Sequence, residues 1–177
     1  MRFTLICILL LMRWVCLPVH AEDRMKDEKK VSNTTSNDDV ELTISVPYSV
    51  SAQNTIPLSV RVVNTGDEAI KYIQYPYLSG FKVSIWKMKG QYKGEVPLTR
   101  WGESWMKFPV GNIYRVPGIA SLDPNSKLEL TIPLHRYFDL SIGGSYECQV
   151  EWYGANIEDN PKLIIKSEKI RIFIKDE

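Results

Sequence analysis

The chain has 177 residues, 44% of them hydrophobic and 24% charged, with a formal net charge of +1. That length holds one domain. Its 22 basic and 21 acidic residues make no field to hold nucleic acid or an anionic membrane, both of which need clustered Lys and Arg.

The N-terminus reads as an export signal. Arg2 precedes FTLICILLLM, an apolar run of about ten residues, the length of a signal-peptide core. The stretch ends Val19-His20-Ala21, with Val and Ala where a signal peptidase accepts small side chains. This predicts a signal peptide over 1–21, cleavage after Ala21 and a mature chain starting at Glu22, secreted or periplasmic. An uncleaved anchor is the alternative, opposed by Arg13, because a charge within the run is costly in hydrocarbon and a span needs roughly 20 apolar residues. Cys16 follows Val15, where lipid attachment wants a smaller residue. Cleavage removes Arg2 and Arg13, so the mature charge is near zero and no membrane span is left.

Residues 22–39, EDRMKDEKKVSNTTSNDD, hold almost no apolar side chains and are expected to form a disordered tether. Lys26 to Lys30 is mixed in sign and reads as solvated. Asn33-Thr34-Thr35 fits an N-glycosylation acceptor if the source is eukaryotic.

From Val40 onward the apolar period is two. Leu42, Ile44 and Val46 share a face, as do Ile56, Leu58, Val60 and Val62. The NTGDEA turn follows, with Gly66 free to take positive φ. Ile70 to Tyr75 is a further strand with ambiguous faces. Phe81, Val83 and Ile85 align next, then Leu128, Leu130, Ile132 and Leu134, then Tyr146, Cys148, Val150 and Trp152, and last Ile170, Ile172 and Ile174. Each run reads as a half-buried antiparallel strand. The pattern predicts an all-β domain over 40–177, an antiparallel two-sheet sandwich of about seven strands. HRYFDLS has room for one helical turn between strands.

Leu98 to Gly118 breaks the alternation and holds Trp101, Trp105, Phe108 and Tyr114. Connections this long are uncommon in compact domains and often functional. Trp101, Trp105 and Tyr114 are therefore the candidate ligand contacts, as a platform for a sugar ring, a peptide or a partner protein. The alternative is that they cover one end of the sandwich. The four-residue spacing of the tryptophans suits one helical turn under either reading.

In FDLSIGGSYECQVEW, Tyr146 stands two positions before Cys148, as the tyrosine of a corner does in immunoglobulin sandwiches. Its hydroxyl is expected to bond backbone near Phe138 to Leu140, which makes Asp139 and Leu140 part of that corner. Cys148 is the one cysteine left after signal removal, so no internal disulfide forms. It reads as a buried small hydrophobe, with an intermolecular bridge as the alternative.

Catalytic chemistry finds no footing in the mature chain. It offers one cysteine and one histidine, His135, too few for a zinc site, so no metal is assigned. A calcium site made of carboxylates stays open, although Asp38-Asp39 and Asp67-Glu68 lack the ligand spacing. There is no Gly-x-Ser-x-Gly elbow, and Gly143-Gly144 precedes a strand rather than a helix, so no phosphate loop forms. The expectation is a protein with no catalytic residue and no cofactor.

The order of turn and corner signals carries a resemblance. It runs from Asn64-Thr65-Gly66-Asp67 through Gly90 and Gly94 and Leu122-x-Pro124 to Asp139-Leu140-Ser141 with Gly144 and Tyr146. Over Val40 to Trp152 it resembles the immunoglobulin- or fibronectin-like sandwich found beside deuterolysin-type metallopeptidases and standing alone in secreted bacterial proteins. The His-Glu-x-x-His helix of those peptidases is absent, so the resemblance implies the accessory sandwich and not the activity. Two functions follow as expectations: a non-catalytic binding or adhesion module for a protein or a glycan, or an inhibitor or accessory protein of a secreted peptidase. A structural part of an envelope assembly is not separable from the first.

Overall fold

The computed structural model describes residues 29–51, 54–74, 80–89, 93–106, 118–154 and 162–175. The predicted signal peptide lies outside them. Two sheets enclose one apolar core, which is a sandwich arrangement with few helical residues. The first sheet is antiparallel and has the order β1 (Lys30–Ser36), β2 (Val40–Pro47), β4 (Pro57–Asn64), β9 (Lys127–Pro133).

The second sheet is built on β10 (Gly144–Gly154). On one edge β10 pairs with β6 (Phe81–Lys87), which in turn carries β7 (Gly94–Glu95). The other edge is shared by β12 (Ile170–Lys175) and β11 (Lys162–Lys166). β5 (Ile70–Gln74) meets β10 at Gly154 and pairs with β8 (Gly118–Leu122). β3 (Ser49–Ser51) runs parallel to β12, the one parallel pair among the described residues and an exception to the antiparallel reading.

Alternation explains which residues line the core. On β2, Val40, Leu42, Ile44 and Val46 are buried, and on β4 Leu58, Val60 and Val62. Across from them stand Val83 and Ile85 of β6, Tyr146, Cys148, Val150 and Trp152 of β10, and Ile170, Ile172 and Ile174 of β12. Each fully buried aliphatic side chain contributes about 1.5–3 kcal/mol. The Trp152 ring sits 5.9 Å from that of Tyr72 and 6.4 Å from that of Phe81, so the three aromatics fill one end of the core.

The tether reading fails from Lys30 onward. Residues 30–36 form β1, paired along β2 from Lys30↔Pro47 to Ser36↔Glu41. A strand at a sheet edge needs few apolar side chains when its backbone bonds are met by a neighbour, and Val31 supplies the contact to the core. Asn37 fixes the hairpin: its Oδ1 accepts from Val40 N at 2.8 Å, and its Nδ2 donates to the Ile164 carbonyl of the other sheet at 3.0 Å. The strand count, twelve among the described residues, exceeds the expected seven. The surplus is β1 and short segments such as β3 and β7, too brief to show a period.

Gly66 does not take the positive φ its turn predicts. It is needed for space, since a Cβ there would stand 2.7 Å from Asp39 Oδ1. The left-handed residue of the other turn at that end is Asn125, at φ 59°.

The Tyr146 hydroxyl finds a backbone acceptor other than the expected one. Tyr146 Oη donates to the Ile142 carbonyl, not to the 138–140 backbone. Asp139 Oδ1 accepts from Ser141 Oγ at 2.6 Å, and Leu140 is buried. Tyr146→Phe should lower stability by about 1 kcal/mol, the worth of one hydrogen bond, read as a lower urea midpoint at constant slope. An unchanged midpoint would remove the corner's energetic role.

Candidate functional site

The aromatic segment begins as a helix, α1 (Arg100–Met106), packed on a single turn, α2 (Leu134–Tyr137). Thr99 starts α1: its Oγ1 accepts from Gly102 N at 2.9 Å and donates to the Arg136 carbonyl at 2.5 Å. A Cβ on Gly102 would lie 2.1 Å from the Tyr137 carbonyl oxygen, so the two elements touch backbone to backbone. Trp101 is half-buried, edge-on to Tyr137 with ring centroids 4.8 Å apart, and the Arg136 guanidinium covers its face at 4.9 Å. Trp101 thus packs against the end of the sandwich. Trp105 shares the helix, but its side chain, like Tyr114, lies outside the described residues. His135 is exposed on α2.

Cys148 is fully buried on the inner face of β10, and burial pushes its thiol up to about 12. A neutral, enclosed thiol is a poor nucleophile. In native protein made without residues 1–21, labelling of Cys148 by a thiol reagent should therefore run at the rate of global unfolding and accelerate with denaturant. Immediate stoichiometric labelling, or a covalent dimer dissolved by reductant, would contradict this.

The outer face of β10 carries a compensated charge ladder. Glu151 meets Lys166 at 2.7 Å and Lys82 at 3.4 Å, one from each flanking strand, and accepts from Tyr153 Oη at 2.5 Å. Burial alone would raise its pKa. The hydrogen bonds from Lys166 and Tyr153 and the charges of Lys82 and Lys166 outweigh that and hold it at about 2. Glu147 likewise meets Lys169 at 3.4 Å and Arg171 at 3.6 Å, and the Lys169 ammonium also lies 4.4 Å from the Trp86 ring centroid. These groups satisfy one another.

The outer face of the first sheet differs. Pairing register lines up three rows across its four strands. The first is Ser32, Ser45, Ser59 and Thr131, hydroxyls throughout. The second is Thr34, Thr43, Arg61 and Glu129, and the third Ser36, Glu41, Val63 and Lys127. A shallow depression of about 400 Å³ lies over the first two rows, lined by Thr43, Ser45, Ser59, Arg61, Glu129 and Thr131. Arg61 reaches Glu129 at 3.8 Å and Lys127 reaches it at 3.0 Å. All three side chains are more than half exposed, so these ion pairs are worth under about 1 kcal/mol and yield readily to a ligand. Thr34 and Thr43 share a hydrogen bond of 3.0 Å. Such a surface can exchange many weak hydrogen bonds.

Sequence reasoning passed over this face because its residues come from four separate segments and meet only through register. The available signal was the polar half of each alternating run, where small hydroxyl residues recur at Ser45, Ser59 and Thr131. Among the described residues no three His, Cys, Asp or Glu side chains group as metal ligands. No described helix is long and apolar enough to cross a membrane.

Glu151 links the ladder to pH. Its folded value near 2 lies below the ordinary 4.5, so its contribution is complete above pH 4.5 and is lost as pH falls toward 2. Stability should decline across that window, and Glu151→Gln should flatten the decline; equal slopes in both proteins would count against the ladder. Compared with known proteins, the chain matches no family model and no curated protein.

Proposed function

We propose that this chain is a non-catalytic, extracytoplasmic binding or adhesion module on an immunoglobulin- or fibronectin-like sandwich, exported by residues 1–21. The observation that supports it is the outer face of the first sheet, where a rigid array of hydroxyl, guanidinium and carboxylate groups surrounds a shallow depression. The groups are held by a sheet whose opposite side is packed into the core, so little order is lost when a ligand docks.

The test is binding without turnover. The exported protein is titrated calorimetrically against a panel of soluble glycans and a panel of secreted peptidases, and each mixture is then analysed by mass spectrometry. Saturable binding with the partner recovered unchanged is expected. Chemical conversion of a glycan or peptide by the protein, or inertness toward both panels, would reject the reading. Binding confined to a peptidase, with loss of the peptidase's activity, would establish an inhibitor in place of an adhesion module.

A further inference from the structure

We propose that β1 joins two copies of this chain edge to edge, in an antiparallel dimer whose two-fold axis passes through Thr34. The dimer does not depend on what the outer face of the sheet binds.

The first observation is an open backbone. β1 ends its sheet, and among the described residues no strand pairs its far side. Lys29 with Tyr48, and Asn37 with Val40, are hydrogen-bonded pairs at the two ends of the β1–β2 ladder. The register between them is unbroken. Alternation therefore spends the backbone groups of Val31, Asn33 and Thr35 on β2 and turns those of Ser32, Thr34 and Ser36 outward.

The second is the lack of any device against pairing. Sheet edges are ordinarily blunted by charge, proline, a bulge or brevity. β9, at the other end of the same sheet, carries Lys127 and Glu129 and ends in Pro133. β3 and β7 have three and two residues, and β8 has five and follows Pro117. β1 runs for seven residues, and from Val31 to Ser36 it has neither charge nor proline.

The third observation selects a second copy as the partner. Lys29 and Lys30 stand at one end of the strand and Asp38 and Asp39 just past the other, all four exposed. None of the four joins an ion pair among the described residues. An antiparallel pair centred on Thr34 sets Ser32 against Ser36 of the second copy, Lys30 against its Asp38 and Lys29 against its Asp39. The outward backbone groups then meet one another, and opposite charges close both ends. Centring the pair on Asn33 sets Lys30 against Ser36 and leaves the charges unmatched. A parallel pair in register sets lysine against lysine. The edge is thus complementary to itself, as a two-fold interface requires.

The experiment uses the chain without residues 1–21 in sedimentation velocity across a range of concentration and salt. A reversible dimer that weakens with salt is expected. Lys30→Asp and Asp38→Lys each set like charges opposite at both ends and should each weaken self-association about tenfold. Mixed together, the two variants should pair with each other, because each end then joins Asp to Lys; no fold defect produces that result. Thr34→Pro removes an outward N–H and spares the bonds to β2, so it should abolish the dimer at an unchanged melting temperature. Should it lower the melting temperature, the charge variants decide alone. Thr34→Cys should cross-link two chains under mild oxidation, since its Cα atoms would lie about 5.5 Å apart across the axis. Ser59→Cys, exposed in the middle of the sheet, should not.

A monomer at every concentration, a dimer indifferent to a folded Thr34→Pro, or charge variants that fail to pair with each other would overturn the proposal. Cross-linking of Ser59→Cys in place of Thr34→Cys would move the contact to the face of the sheet and overturn it as well.

Discussion

Pairing of β10 with β6 along one edge, and with β12 and β11 along the other, decides which side chains of the second sheet face inward. Its inner row, Tyr146, Cys148, Val150 and Trp152, is closed to solvent, and Glu147, Gln149 and Glu151 alternate with it on the outside. A slip of one residue would carry two carboxylates into the core and turn Trp152 out to water. The ladder on the outer face reinforces that register, since Glu147 and Glu151 meet basic groups only when β12, β11 and β6 lie where they do. The ladder thus favours the same register that the inner row requires.

The first sheet inherits its order from buried polar contacts at its ends. Asn64 is fully buried at the end of β4, and its side-chain amide donates to the carbonyls of Glu68 at 2.7 Å and Leu122 at 2.9 Å while its oxygen accepts from Gly66 N at 3.0 Å. One side chain thus ties the turn after β4 to the end of β8, and Asp39 packs against Gly66 from the β1–β2 hairpin. With the strand ends locked and the inner face packed, the outer face has no means of collapsing on itself. Its hydroxyls stay spread at strand spacing, which is what makes the face a surface of defined pattern.

Much of the architecture could be read from alternation. The inward residues of β2, β4, β6, β10 and β12 are the ones the period of two selects, and the cysteine in that pattern is buried as its place implies. Elements without a period were out of reach. β1 looks like a solvated tether because its cohesion comes from backbone bonds to β2 and from Asn37, neither of which leaves a hydrophobic mark. β3 is too short to show a pattern, and its parallel pairing with β12 is a fact of topology. The acceptor of the Tyr146 hydroxyl, the Ile142 carbonyl rather than the 138–140 backbone, was not legible, because it depends on the path of the chain before β10. The candidate site was the least legible part. Aromatic content drew attention to Trp101, which packs on Tyr137, while the hydroxyl rows exist only after four strands are in register.

Addition of β1 also reverses where the chain comes into the fold. The Lys29 carbonyl accepts from Tyr48 N at 2.8 Å, and the Tyr48 carbonyl accepts from Phe173 N at 2.9 Å. The first described residue and the last strand are therefore two backbone steps apart, at the same pole of the sandwich. Without β1, the chain would enter the first sheet at Val40, the opposite end of β2 from Pro47. With it, Lys29 lies beside β12, through Tyr48, rather than at the Val40 end of β2.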